Sequence, residues 1–450
     1  MQRIPERVTV HTADDEYFSD GLAEEIIMAL TQVPGLKVIA RTSAFAFKGK
    51  NEDIRKIAEA LGVTNLLEGS VRRSGNRLRV TAQLVNAADG MHLWSQRYDR
   101  EMRDVFEVQD EIATALTAAL RGRLSVAPPS PRSYSPRLSA YEAYLKARHH
   151  WGKITPEGLA RSKEYYEQAI ALDPGFALAH VGLADYYLLL TNAAGMMPAH
   201  EAMPLVRARA KRALELDPSL PHAYGMLGIV AGLYDYDWKE SERLFQAAMS
   251  RDAVSPLIDF WYGHFHLAAM GRSEDFDEKT ERALQADPLN LVFRLAWGSR
   301  LTAAGRLEDA STEYRRVLEL DENSYAACAL LAQTHALRGM YALALPLAEK
   351  AYLLAPRHTL VIGILAAVLR RTGDRSRAEH LLQPLRNAPE TYGAPRGLMF
   401  FHLTCEEVDQ AADWAEKSVE QRDPLLPTLL SFFRSSPRWP MLAKMMNLPE

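Results

Sequence analysis

Ala283-Leu284-Gln285-Ala286-Asp287-Pro288 is the stretch that decides the fold, because the chain writes it repeatedly. Close copies run from Ala169 to Pro174, Ala213 to Pro218, Val317 to Glu322 and Ala351 to Pro356, and weaker ones end near Asp252, Pro389 and Asp423. The position after the Asp falls at 174, 218, 253, 288, 322, 356, 389 and 424, so the steps are 44, 35, 35, 34, 34, 33 and 35 residues. A fixed period of about 34 residues marks stacked helix pairs, units that bury their apolar faces only against a neighbour. The interior of each period agrees. Two amphipathic stretches flank a short break, and in the clearest unit Gly298 is the small residue of the first helix while Gly305 begins the turn. Ala310, Tyr314 and Val317 then form the i, i+4, i+7 stripe of the second helix, which predicts their burial. The Pro that follows most of these helices ends them, because it cannot continue the hydrogen-bond ladder.

Spacing, small residues and terminal Pro together resemble the tetratricopeptide repeat (TPR), and the resemblance predicts an all-α solenoid of about eight helix pairs over residues 138–424. The long step is read as a ten-residue loop insertion around Thr191 to Pro198. Residues 425–450 depart from the repeat and are expected to cap its open end, as terminal units of solenoids must. First helices of such arrays face a concave groove. The groove positions are Trp261 and Phe265, Leu295 and Ser299, Ala329 and Gln333, an apolar floor with a polar patch suited to a protein partner presenting an extended segment or a helix.

Upstream, residues 125–137 hold four prolines and four serines and read as a linker. Before it, residues 17–33 predict a helix opened by Ser19 and Asp20, Leu36 to Ala40 a strand, and Asn51 to Leu61 a second helix. Asn65 to Arg73, Leu78 to Val85 and Met91 to Tyr98 alternate in the manner of strands joined by the turns at Ser74-Gly75-Asn76 and Asn86 to Gly90. A closing helix follows from Asp104 to Leu124. The order αβαβββα implies an α/β domain over residues 1–124, with helices packed on a small mixed sheet.

Within that domain, Glu16 to Glu25 (Glu-Tyr-Phe-Ser-Asp-Gly-Leu-Ala-Glu-Glu), Val38 to Ser43, Leu66 to Arg73 and His92 to Tyr98 resemble the amino-terminal domain of TolB-like bacterial proteins. The resemblance is to the version joined to tetratricopeptide repeats in signalling proteins. There the pair accompanies an effector: a winged-helix DNA-binding domain, an adenylate or guanylate cyclase, or a Ser/Thr kinase. No residues here match such an effector. The resemblance also implies an apolar strand ahead of the first helix, for which the chain offers only Arg7-Val8-Thr9-Val10-His11. That strand is expected to be missing or degenerate, leaving a sheet edge open to self-association.

Composition bounds the chemistry. The 450 residues are 48% hydrophobic and 24% charged with a formal net charge of −4, which disfavours a charge-driven nucleic-acid binder. The longest apolar run, Leu360 to Leu369, is ten residues, about half of what a bilayer needs, so the expectation is a cytoplasmic protein without a membrane segment. No nucleophile elbow, HExxH, Walker A or dinucleotide fingerprint is present. The chain is therefore read as not an enzyme, with no catalytic, cofactor or metal residues. His149 and His150, His264, His266 and His335 are read as packing, and Cys328 and Cys405 as small core residues. Glu24 and Glu25, with Asp14 to Glu16, are read as a carboxylate group at a helix start. Arg72, Arg73, Arg77 and Arg79 are read as a solvated hairpin edge. Two functions fit: an interaction scaffold, or the regulatory half of a signalling enzyme or transcription regulator.

Overall fold

The computed structural model describes residues 13–31, 36–50, 52–101, 105–120, 134–151, 156–192, 196–251 and 255–449. The expected first strand (Arg7 to His11) and most of the Pro/Ser-rich linker lie outside these residues.

Eight helix pairs follow one another: α5 (Leu138–Trp151) with α6 (Pro156–Leu172), α7 (Ala177–Asn192) with α8 (Ala199–Leu216), and α9 (Pro221–Ile229) with α10 (Trp238–Met249). Next come α11 (Pro256–Trp261) with α12 (Ser273–Ala286), α13 (Leu291–Ala303) with α14 (Leu307–Leu320), and α15 (Tyr325–Leu337) with α16 (Tyr341–Leu354). The last two are α17 (Thr359–Thr372) with α18 (Arg375–Asn387) and α19 (Ala394–Thr404) with α20 (Val408–Glu420). The Asp-Pro tail directly follows α6, α8 and α12, and after α12 Asn290 caps α13 by accepting from the Val292 and Phe293 N–H groups at 3.0 and 3.2 Å. Ala310, Tyr314 and Val317 are fully buried, as their spacing predicts. A Cβ on Gly298 would lie 2.5 Å from Cε1 of Tyr314, so the glycine is what lets α13 and α14 meet.

First helices of successive pairs pack on one another, α5 on α7, α7 on α9, α13 on α15, α15 on α17 and α17 on α19. Two of them end in π-helical turns, Val230–Asp235 after α9 and Tyr262–Leu267 after α11. The stretch after residue 424 packs on α20 through a 3₁₀ turn (Leu426–Phe432) and α21 (Trp439–Met445) and also runs back to those π-turns. Arg422, Arg434 and Asn447 donate to the carbonyls of Tyr234, Ala269 and Tyr236 at 3.0, 2.8 and 3.1 Å, and Trp238 Nε1 donates to the Met446 carbonyl at 2.7 Å. Tyr234 lies in the first π-turn, and Tyr236 and Ala269 just beyond the ends of the two, so these bonds satisfy carbonyls where the two first helices close. Phe433, Leu430, Leu442 and Met446 are fully buried, so this stretch is core rather than appendage.

The amino-terminal part comprises α1 (Ala13–Thr31), α2 (Arg41–Phe45), α3 (Ile54–Leu61), β1 (Asn65–Ser74), β2 (Arg77–Asn86), β3 (His92–Glu101) and α4 (Val105–Leu120). The strands form an antiparallel meander in the order β1-β2-β3. Gly75 takes φ +57° at the first position of the two-residue turn, where a type II′ hairpin needs glycine. Leu78, Val80, Ala82 and Leu84 alternate inward on β2 against Phe18, Leu22 and Ile26 of α1 and Val108, Ile112 and Leu116 of α4.

Two expectations are corrected. Leu36 to Ala40 is extended but joins no ladder, so the described sheet is antiparallel, not mixed. Its Leu36 and Val38 pack on the apolar cluster, and its Ala40 N–H donates instead to the Ala286 carbonyl of the array at 3.0 Å. The first helix begins at Ala13, which places Asp20, Glu24 and Glu25 in its middle rather than at its start.

Among the described residues, no helix is long and apolar enough to cross a membrane. Gly298→Ala should lower stability by about 1–3 kcal/mol, the cost of overfilling a packed site, read from the midpoint of urea unfolding.

Candidate functional site

Two places in the molecule gather polar chemistry: the junction between the α/β part and the array, and the inner side of the array. At the junction, α1 lies on α5 so closely that a Cβ on Gly21 would meet Leu145 Cδ2 at 2.2 Å. That approach brings Glu24 between two arginines, Arg148 of α5 and Arg41 of α2, the latter with Nε at 3.2 Å. Asp20, one turn earlier, pairs with Lys48 and faces His149 Nδ1 at 3.6 Å. Burial alone would raise both carboxyls. Arg148 and Arg41 around Glu24, and His149 and Lys48 around Asp20, outweigh it and hold both pKa values below the usual range.

A second contact lies far along the array. Ser43 donates its N–H and its hydroxyl to Asp287 Oδ1 at 3.0 and 2.5 Å, and its Oγ accepts from the Leu289 N–H at 2.7 Å. Both residues are buried. The Asp of a repeat tail is thus used as a docking point. Asp173 plays the same part in the first pair, accepting from the Arg137 N–H at 2.9 Å. One apolar cluster also runs without a break from the sheet into Tyr141, Tyr144, Leu145 and Tyr166.

On the inner side, Trp261 and Phe265 are buried. Trp261 meets the His222 ring edge-on at 4.8 Å, and Phe265 packs between Phe260 and His264. Ala329 and Gln333 are buried too, while Leu295 and Ser299 stay partly exposed. These six do not form one open floor. Of the remaining histidines, His150 stacks on Tyr165 at 5.5 Å and His264 on Phe260 at 5.2 Å. Burial pushes His264 down to about 4 and lowers His335. Cys328 and Cys405 are buried thiols, and burial raises Cys405 to about 11.

Sequence reading missed one constellation. Ser241 Oγ lies 3.1 Å from His266 Nδ1, and Glu242 Oε2 lies 2.8 Å from His266 Nε2, the residue types of a hydrolytic triad. Tyr262 donates to the same carboxylate at 2.9 Å. The group cannot act as a triad, because the Ser241 hydroxyl is fully buried against Gly232 and no substrate reaches it. Burial also pushes His266 down to about 4, so it is neutral at pH 7, and facing a carboxylate its Nε2 carries the proton. Residues 25 positions apart on two helices give no linear signal. Among the described residues, no group of three His, Cys, Asp or Glu side chains could hold a metal ion.

Known proteins bear on this arrangement as follows. No family model matches the chain. A putative adenylate cyclase 3 of Rhizobium meliloti is 36% identical over 217 residues, 47% of this chain and 37% of that protein. The transcriptional regulator HilA of Salmonella typhimurium is 24% identical over 279 residues, 61% of this chain and 49% of that protein. The chain thus spans between about a third and a half of the length of these relatives. Among solved structures, YrrB, a TPR protein with an unusual peptide-binding site, is 22% identical with a TM-score of 0.29, covering 44% of this chain and 95% of that one. Yeast Tom70 is 16% identical with a TM-score of 0.42, covering 77% and 75%.

Removing one partner of the junction pair leaves a charge buried alone, so Glu24→Ala should cost about 3 kcal/mol, measured by urea unfolding. The lowered pKa values mean that stabilisation by Asp20 and Glu24 is complete above their ordinary values of 3.8 and 4.5 and is lost as pH falls through the folded ones. The melting temperature should therefore drop below about pH 4.5, and Glu24→Gln should blunt that drop.

Proposed function

We propose that this chain is a non-catalytic regulatory module of bacterial signalling, a TolB-like domain joined to a tetratricopeptide array, which binds a protein effector and alters its output. The observation that carries the reading is the pair of curated relatives: about half of this chain matches part of a protein named for cyclase chemistry, and about three fifths of it matches part of another named for transcriptional control. A chain that matches parts of proteins with such different names is best understood as what receives or relays a signal, with the output supplied elsewhere, in the same polypeptide or a separate one. The rigid junction suits such a relay, since a contact made on the sheet is felt by the array. The buried Ser241 supports the non-catalytic reading.

The scaffold reading is the simpler form of the same idea. Within it, Leu295 and Ser299 are where a partner would touch the inner face, whereas Trp261, Phe265, Ala329 and Gln333 shape the wall behind them. The expected setting is the cytoplasm.

The test is affinity capture with the full chain as bait, followed by assay of the retained protein. The reading expects a nucleotide cyclase, a kinase or a winged-helix regulator whose output changes when the purified chain is added. Turnover by the purified chain itself, surviving rigorous purification, would overturn it. Trp261→Ala should reduce helical circular dichroism or its melting temperature, because that ring is core, while Leu295→Asp should weaken partner binding with the fold retained.

A further inference from the structure

The two outer strands of the meander are unlike. The β3 edge carries Arg97, Asp99 and Arg100, all compensated: Arg79 and Arg97 lie 2.7 and 3.5 Å from Asp99, and Arg100 lies 3.1 Å from Glu111. The β2–β3 register also shifts between Leu84 and Val85. Charge and irregularity of this kind blunt an edge.

β1 is regular, and the charges it exposes are not compensated among the described residues. Its ten residues contain no Pro or Lys and pair with β2 in unbroken register. Glu68 and Arg72 stand exposed on the outer face of the sheet, and among the described residues neither has an ion-pair partner. Arg72 sits directly opposite Arg79, whose charge is already spent on Asp99, and Glu68 sits opposite Gln83. Leu67, on the inner face beside this edge, is 38% exposed although its cross-strand neighbour Leu84 is buried.

The backbone follows from the hairpin. A two-residue turn closes on a hydrogen-bonded pair, here Ser74 and Arg77, and bonded pairs recur at every second residue. The even-numbered residues of β1 are therefore bonded to β2, and Leu67, Gly69, Val71 and Arg73 direct their N–H and C=O groups outward.

We propose that the β1 edge is a self-association surface on which a second copy of this chain adds its own β1, antiparallel, about a two-fold axis at Ser70. That axis pairs outward-directed backbones, Gly69 with Val71 and Leu67 with Arg73, as an antiparallel ladder requires. It also sets Glu68 of each copy against Arg72 of the other, in non-hydrogen-bonded pairs where side chains come closest. Moving the axis to residue 68 or 72 would oppose like charges, and moving it to 69 or 71 would leave both charges unpaired. One strand thus carries the complement of itself, and two three-stranded sheets join into one of six.

Sedimentation equilibrium of the full chain over a concentration series tests this. The wild type should rise from monomer toward dimer. Glu68→Arg and Arg72→Glu should each weaken association about tenfold or more, since each turns two attractive pairs repulsive, and the double variant E68R/R72E should restore it. Leu67→Pro, which removes an outward N–H and no β1–β2 bond, should abolish it with the melting temperature retained. A wild type that stays monomeric throughout, or single charge reversals that dimerise like the wild type, would overturn the proposal.

Discussion

Glu24 is a carboxylate enclosed by two arginines, and the relation between the two parts of the molecule depends on it. The charge can be buried only if Arg148 of the first array helix and Arg41 of the short α2 both reach it. That requires α1 to lie at glycine distance from α5, which Gly21 permits. With α1 fixed there, the sheet and α4 that pack on it are fixed too. Ser43, two residues beyond Arg41, then falls into the Asp287 turn more than a hundred residues along the array. A buried ion pair of this kind contributes less to stability than to choosing one arrangement over others.

The repeat was legible because helix pairs must meet at small residues and stop at fixed intervals. Gly298, Ala310, Tyr314 and Val317 lie where their spacing places them. The hairpin strands were legible from alternation and turn chemistry, to within three residues at their ends. What was not legible depends on partners distant in sequence. Leu36 to Ala40 has the apolar run of a strand, but its backbone is claimed by Ala286 of the array. Glu24 read as part of a helix-start carboxylate group because Arg148 stands 124 positions away.

The inner-face residues show the same limit. Their side was inferred from helix periodicity, and first helices of successive pairs do pack on one another. Periodicity cannot reveal that residues near the end of the chain return to the close of two first helices, where Arg422, Arg434 and Asn447 donate to the carbonyls of Tyr234, Ala269 and Tyr236. Trp261 and Phe265 are correspondingly parts of a wall. Of the six inner-face residues, Leu295 and Ser299 stay partly exposed. If a second copy occupies the β1 edge, two arrays are held together by their sheets, and the rigid junction determines how they are presented.

The central claim is that the α/β part and the array move as one body. Double electron–electron resonance between spin labels at Ser95→Cys on β3 and Glu322→Cys on the array, both exposed positions, measures this directly. Cys328 and Cys405 are buried and stay unlabelled, and dilution with unlabelled chain removes distances between copies. The account predicts a single narrow distance distribution at neutral pH. A broad distribution, of the kind given by two parts swinging on a linker, would contradict it.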